Sequence, residues 1–264
     1  LSYLILIPIV EKYNKAKLVI FSLILFVISY SIFAFYANLY LVIILGTILA
    51  VIGSLRITAF GILVRDKTLN KDVSKNEATI YTLLNLAWLI SPLIAGYIAQ
   101  KYGFGPVFIL TSVLALLSTF SFAFFKIKDN RKTKKIDYNV FKILVGFFSK
   151  KERTIIYLLH GAVNFWWALI YIYVPIYLVE NGYNNFLVGL FLSMIVLPLV
   201  FFESFFGKIA SRKGFKKLFF TGFLIMGVLS FLSFFVPNFY YVLIILILAS
   251  IGVSMLEPTT EAYF

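Results

Sequence analysis

The sequence predicts an all-α, polytopic membrane protein, and three observations support this fold class. Of its 264 residues, 62% are hydrophobic and only 13% are charged, against about 45–50% and about 25% in soluble domains. The charged residues are confined to a few short islands. The apolar stretches between these islands each approach the ~20 residues that a membrane-spanning helix needs. A water-soluble fold is therefore excluded.

Eight complete spans and one partial span follow from these apolar stretches. We predict the complete spans at residues 17–36, 39–64, 79–100, 104–126, 153–179, 186–206, 217–236 and 239–262, and a truncated span at 1–10. Residue 1 and Phe264 each fall inside an apolar run. We therefore expect a fold that is incomplete at both ends.

The basic residues test this topology independently, because Lys and Arg accumulate in cytoplasmic loops. Nearly all of the 24 basic residues fall in alternate loops, around Lys12, Lys71, Lys134 and Lys213, while the intervening turns hold only Lys101. We therefore predict a multi-pass protein of the cell membrane whose basic loops are cytoplasmic. The net charge of +13 then reflects this orientation and contact with anionic lipid of the inner leaflet. Nucleic-acid binding loses its support.

A long polar stretch divides the chain into two predicted bundles. Residues 128–151 are expected to form a basic cytoplasmic linker between an N-terminal bundle, 1–127, and a C-terminal bundle, 152–264. Within the linker, apolar residues recur at helical spacing between Val140 and Phe148. This pattern predicts an amphipathic helix in the membrane interface. The alternative is that the next span simply begins early.

An internal repeat, offset by about 200 residues, relates the two bundles, and transporter folds are commonly built from duplicated halves. Its clearer copy runs from Gly207 to Lys217. This stretch resembles the cytoplasmic loop signature of the major facilitator superfamily, Gly-x-x-x-Asp-Arg-x-Gly-Arg-Lys, with Ser211 at the acidic position. The first copy keeps the charges of Glu11 and Lys12 but lacks both glycines.

Two further segments are similar to the same family. Residues 91–96, Ser-Pro-Leu-Ile-Ala-Gly, resemble the fifth-helix Gly-Pro-x-x-Gly-Gly motif of proton-coupled exporters, through Ser91, Pro92 and Gly96. Arg56 falls where the family places a buried Arg on its fourth helix. By this mapping, we expect the chain to cover the end of the family's helix 2 through helix 10 and to lack helices 1, 11 and 12. The resemblance implies two pseudo-symmetric bundles that rock around a central cavity.

The resemblance also implies a role for the residues of the signature loops. In the family this loop is thought to latch the inner side of the transporter in the outward-facing state. The latch candidates are Glu11, Lys12, Asp66, Gly207, Ser211, Arg212 and Gly214. The alternative is that the basic loops only fix the membrane orientation.

Charged residues inside the predicted spans are candidates for function, because each costs at least ~2.5–3.5 kcal/mol at a helix centre unless it faces protein or water. Arg56, Glu203 and Glu257 each lie roughly 17–18 residues past an outer turn, which is about 26 Å at 1.5 Å per residue. We therefore predict that they share one layer in the inner third of the membrane.

Polar and aromatic side chains form stripes on two of the predicted helices. His160, Asn164, Trp167 and Tyr171 follow one helical face. Ser254 and Glu257 lie on the second stripe. The resemblance places both helices around the central cavity, so these residues are the candidates for cavity lining and proton coupling. For His160, a structural hydrogen bond between helices is the alternative.

Catalytic and nucleotide-binding motifs are not found in the sequence, and the chain has no Cys, so we expect no enzyme activity, cofactor or metal site. We predict a monomeric secondary transporter that exports a small hydrophobic or amphipathic solute in exchange for protons. One alternative is an uptake symporter or facilitator for a sugar or another metabolite. The other is a non-transporting membrane sensor or scaffold of the same fold. Our coupling hypothesis is that Arg56 attracts ionised Glu257 when the inner side closes.

Overall fold

The computed structural model of the chain describes residues 6, 10, 12–36, 38–67, 73–125, 129 and 140–263, without the side chains of 73–79, 81, 140, 143, 211–213 and 258–263. These residues form ten helices: α1 Lys15–Phe35, α2 Leu39–Lys67, α3 Val73–Tyr102, α4 Phe104–Phe124, α5 Val140–Phe148, α6 Lys151–Glu180, α7 Asn185–Met194, α8 Leu197–Lys213, α9 Phe215–Ser233 and α10 Phe239–Tyr263.

Eight segments of the described residues are long and apolar enough to cross a membrane. They coincide, within a few residues at each end, with the eight complete spans predicted from the sequence. The backbone hydrogen bonds of a helix close within the segment, which is what the hydrocarbon core of a bilayer requires. The all-α, polytopic fold class is confirmed.

The sixth span differs from its prediction, because it is two helices rather than one. α7 ends at Met194 and α8 begins at Leu197, with a turn at Ile195 and Val196 between them. In a continuous helix, Pro198 would have no N–H to donate to the carbonyl of Met194, and its ring would crowd that carbonyl. The predicted span at 186–206 is present within Asn185–Ala210, and this turn interrupts its helix.

The helix of the linker region is a separate element. α5 ends at Phe148, and α6 starts at Lys151 after two non-helical residues. The helix predicted from the apolar spacing is therefore present, and the early start of the next span is not what the structure has. Its position in the membrane interface stays a prediction.

The chain divides into two compact units. The first unit falls within Leu1–Asn76 and Lys101–Ser149. In it, α1 packs against both α2 and α4. The buried centre of this unit is made of Val10, Ala16, Val19, Leu23, Ala59 and Leu63.

The second unit comprises Glu77–Gln100 and Lys150–Phe264, so the central part of α3 belongs to it. α10 is its central helix, because α6, α8 and α9 all pack against it. α9 and α10 approach at two glycines: a Cβ on Gly222 would lie 2.8 Å from the carbonyl oxygen of Gly252. Small residues of this kind let helix backbones meet closely in membranes.

Candidate functional site

A cavity of about 290 Å³ lies inside the second unit. Its walls come from α3, α6, α10 and the junction of α7 with α8. The residues that line it are Asn85, Trp88, Asn164, Trp167, Tyr171, Val196, Leu199 and Glu257. Four of them, Asn164, Trp167, Tyr171 and Glu257, are residues that the sequence stripes identified.

The spacing of the α6 stripe brings its side chains to one face of the helix. Trp167 and Tyr171 are one turn apart, and their rings are stacked with centroids 5.2 Å apart and an interplanar angle of 17°. Trp88 of α3 reaches the same wall, with its ring centroid 5.5 Å from that of Tyr171. The cavity therefore has a continuous aromatic wall built from two helices.

The carboxylate of Glu257 is held at the edge of this aromatic wall. The indole Nε1 of Trp167 donates a hydrogen bond of 2.6 Å to Glu257 Oε1. An indole nitrogen can only donate, so the bond needs an acceptor at this position. Glu257 is half-buried. α6 and α10 are thereby joined by a polar contact that fixes the carboxylate beside the cavity.

Glu203 contributes indirectly, through Asn85. The Nδ2 group of Asn85 donates a hydrogen bond of 2.7 Å to Glu203 Oε2. Glu203 is half-buried on α8 and is not among the residues that line the cavity, whereas Asn85 is. Because the carboxylate acts as the acceptor, it fixes the orientation of the Asn85 amide.

His160 and Ser254 do not line the cavity in the structure. The backbone carbonyl of His160 accepts a 3.0 Å hydrogen bond from Asn164 Nδ2, and its half-buried imidazole lies outside the lining set. Ser254 is fully buried, and its hydroxyl donates to the carbonyl of Ile251 at 2.7 Å. Only some residues of each predicted stripe therefore line the cavity.

Arg56 belongs to the first unit, where it is half-buried on α2. Its guanidinium carbon lies 5.2 Å from the centroid of the Phe26 ring on α1, which is within the range of a cation–π interaction. Its Nε is buried and has no hydrogen-bond partner among the described residues. Arg56 is thus a cation within a membrane span, and its Nε–H group has no acceptor among the described residues.

Sequence reasoning missed the two cavity residues of α3. Asn85 and Trp88 are three residues apart, so they share one helical face. This spacing was the available signal for a polar and aromatic face on α3. It does not show that this face packs opposite α6. The segment that the family resemblance did identify, Pro92 to Gly96, lies further along α3.

The Pro92 and Gly96 segment is a close helix contact rather than part of the cavity. A Cβ on Gly96 would lie 2.7 Å from the carbonyl oxygen of Asn185 and 2.9 Å from the Cα of Gly189 on α7. A Cβ on Gly189 would in turn collide with the carbonyl oxygen of Pro92. Gln100 Oε1 accepts a 2.8 Å hydrogen bond from the backbone N–H of Asn185. Ser91, by contrast, is exposed.

The predicted latch residues are described only in part. Gly214 separates α8 from α9 with a φ of 82°, a left-handed conformation that favours glycine. Gly207 lies within α8, Lys12 is exposed and Asp66 is half-buried on α2. Ser211 and Arg212 belong to the last turn of α8, with side chains outside the description, and Glu11 lies outside the described residues. The latch role stays a prediction.

A buried ion pair at the start of α1 was not expected. Asp129 Oδ2 accepts hydrogen bonds from the backbone N–H of Lys15 at 3.0 Å and from its Nζ at 3.3 Å. The two side chains are only 5% and 3% exposed. Asp129 therefore satisfies both the charge of Lys15 and a backbone donor at the first residue of α1.

The comparison with protein families gives one match. A family model described as Major Facilitator Superfamily matches residues 1–264, the whole of this sequence. No curated protein matches the chain.

Proposed function

Because the chain belongs to the Major Facilitator Superfamily and is a multi-pass membrane transporter, we propose that it works as a secondary active transporter of a small organic solute. The solute would bind in the cavity of the second unit and cross by alternating access. The single observation that carries the proposal is the carboxylate of Glu257, held beside an aromatic cavity by Trp167 at 2.6 Å.

We propose proton coupling through Glu257. An acidic residue within a membrane span is costly unless it has a function or a partner. Protonation would remove its charge and weaken its attraction for a cationic group. Arg56 is the proposed cation, as the sequence hypothesis has it, since its buried Nε keeps a donor without a partner in the part of the chain that the structure describes.

The aromatic wall supports a hydrophobic or amphipathic solute over a strongly polar one. We propose export in exchange for protons, from the resemblance of residues 91–96 to the exporter motif, in the cell membrane with the basic loops cytoplasmic. We also propose that the protein is a monomer and that its basic loops contact anionic lipid of the inner leaflet.

Transport in proteoliposomes tests this function. The protein is reconstituted and a pH gradient is imposed in the presence of an aromatic amine, an aromatic alcohol, an aromatic carboxylate or a hexose. Protein-free liposomes give the passive uptake to be subtracted. We expect at least one solute to accumulate in the acidic compartment, as exchange for protons requires. Accumulation in the alkaline compartment would indicate symport, and no gradient-driven uptake of any solute would favour the sensor or scaffold.

A further inference from the structure

We propose that the cavity of the second unit selects small organic cations that carry N–H donors, that is, primary or secondary ammonium compounds with an aromatic or apolar group. This inference rests on the proposed transport function, because it names the substrate class of the same cavity. It is carried by the arrangement of charge, hydrogen-bond acceptors and aromatic rings around that cavity.

Among the described residues that line the cavity there is one acidic side chain and no basic one. That acid is Glu257, whose carboxylate accepts the indole hydrogen bond of Trp167. A second carboxyl group, that of Glu203, lies one hydrogen bond behind Asn85. A carboxylate attracts cations and repels anions, and the low dielectric of a membrane interior strengthens both effects. An anionic solute is therefore the class least suited to the site.

The amides of the cavity are oriented as acceptors. Asn85 directs its Nδ2 to Glu203 Oε2, and Asn164 directs its Nδ2 to the carbonyl of His160. Both partners can only accept in these contacts, so the amide nitrogens are fixed at the wall. The oxygens of the two amides, together with the Glu257 carboxylate, then offer a ligand several acceptors. This arrangement matches the several donors of an ammonium group.

The same hydrogen bonds make the cavity less suited to a sugar. A sugar hydroxyl donates and accepts, so a sugar site usually needs donors in its wall. The single N–H of Trp167, and one of the two N–H donors of Asn85 and of Asn164, are already engaged with protein acceptors. The wall therefore offers more acceptors than donors to a ligand.

The aromatic wall suits the apolar part of such a cation. The rings of Trp and Tyr are large apolar surfaces, and a ligand ring stacks on them or packs edge to face. Trp88, Tyr171 and Trp167 form one wall, with neighbouring centroids 5.5 and 5.2 Å apart. The volume of about 290 Å³ is at the lower end of ligand cavities, which span about 300–1,000 Å³. It fits a solute of about one aromatic ring with a short chain.

Binding of matched probes to the purified full chain tests the inference directly. Trp88 and Trp167 line the cavity, so the intrinsic tryptophan fluorescence should report binding. The probes are 2-phenylethylammonium, 2-phenylethanol, phenylacetate and the N,N,N-trimethyl derivative of the amine. We expect the ammonium compound to bind at least tenfold more tightly than the other three, since each lacks either the positive charge or the N–H donors.

Two variants separate a binding role of Glu257 from a structural one. Glu257→Gln keeps an acceptor for Trp167 and removes the charge, and we expect it to weaken ammonium binding at least tenfold. Glu180→Gln removes an equal charge at the exposed end of α6 and should leave binding unchanged. If Glu257→Gln fails to fold, the comparison of the four probes on the unmodified chain still tests the proposed substrate class.

Several results would overturn this substrate class. They are equal binding of the alcohol or the carboxylate, equal binding of the trimethyl derivative, no binding of the amine, or unchanged amine binding in a folded Glu257→Gln. None of them touches the proposed transport function, which fails only if no solute class shows gradient-driven uptake in proteoliposomes. The two failures are therefore distinguishable.

Discussion

Replacing Gly96 by alanine should force α3 and α7 apart. The added Cβ would lie 2.7 Å from the carbonyl oxygen of Asn185 and 2.9 Å from the Cα of Gly189, and ordinary contacts begin at 3.4 Å. Both neighbours are backbone atoms, so neither can rotate away. The contact must therefore open by about 0.7 Å, the difference between 3.4 and 2.7 Å.

The cost of this opening has two parts. Overpacking of a tight contact costs about 1–3 kcal/mol. A shift of about 0.7 Å also stretches the 2.8 Å hydrogen bond between Gln100 and the N–H of Asn185 to its limit, which adds about 0.5–1.5 kcal/mol. We therefore expect Gly96→Ala to lower the free energy of unfolding by about 1.5–4.5 kcal/mol.

A glycine on a neighbouring helix provides the matched control. A Cβ added to Gly161 of α6 would meet no atom within 4 Å, so alanine there should be neutral or stabilising by up to about 1 kcal/mol through helix propensity. Thermal unfolding of both variants in one detergent is the assay. We expect a clear fall in midpoint for Gly96→Ala only. Equal midpoints for the two variants would refute the close contact of α3 with α7.

Three further predictions concern the first unit, the loop at Gly214 and the topology. Lys15→Met should destabilise the protein by about 3–5 kcal/mol, because it leaves the Asp129 carboxylate buried without its cation, whereas Lys17→Met, at an exposed position, should have little effect in the same thermal assay. Gly214→Leu should slow transport, because the φ of 82° at this position disfavours any side chain. The protein should remain in the membrane. Normal turnover by this variant would remove the latch role. Labelling of single-Cys variants should place two sets of positions on opposite sides, with Lys71, Lys134 and Lys213 cytoplasmic and Asn38, Asn181 and Asn238 outside. Labelling of Lys134 and Asn181 from one side would contradict the topology.

The membrane spans were predictable because their signal is local. Hydropathy depends on the composition of a single stretch, and the bilayer fixes its length. The exception is the sixth span, where Pro198 divides the helix. The sequence contained this signal, since proline removes a backbone donor, although the apolar run hides it.

The cavity was predictable only where one helix supplies several of its residues. The α6 stripe was found because helical spacing alone aligns Asn164, Trp167 and Tyr171. The contribution of α3 was missed, because the packing partner of Asn85 on α8 is 118 positions away in the chain. Ser254 shows the opposite limit. It belongs to a predicted stripe but does not line the cavity, because small polar residues in a stripe are equally suited to close helix packing.

The pairing of Lys15 with Asp129 was unpredictable for a related reason. The two residues are 114 positions apart, and each lies among other charged residues that are equally plausible partners. Charge patterning indicates that such a segment is polar. It does not specify which lysine becomes buried, since this depends on where the chain returns after α4.

The Glu257→Gln variant in proteoliposomes tests the central claim of proton-coupled transport most directly. Removing the carboxylate should abolish accumulation of the transported solute under an imposed pH gradient, because no proton can bind and leave at this position. Exchange of labelled for unlabelled solute at equal, saturating concentrations on both sides should continue, since it requires no net proton movement. Full gradient-driven accumulation by a folded Glu257→Gln would contradict the account.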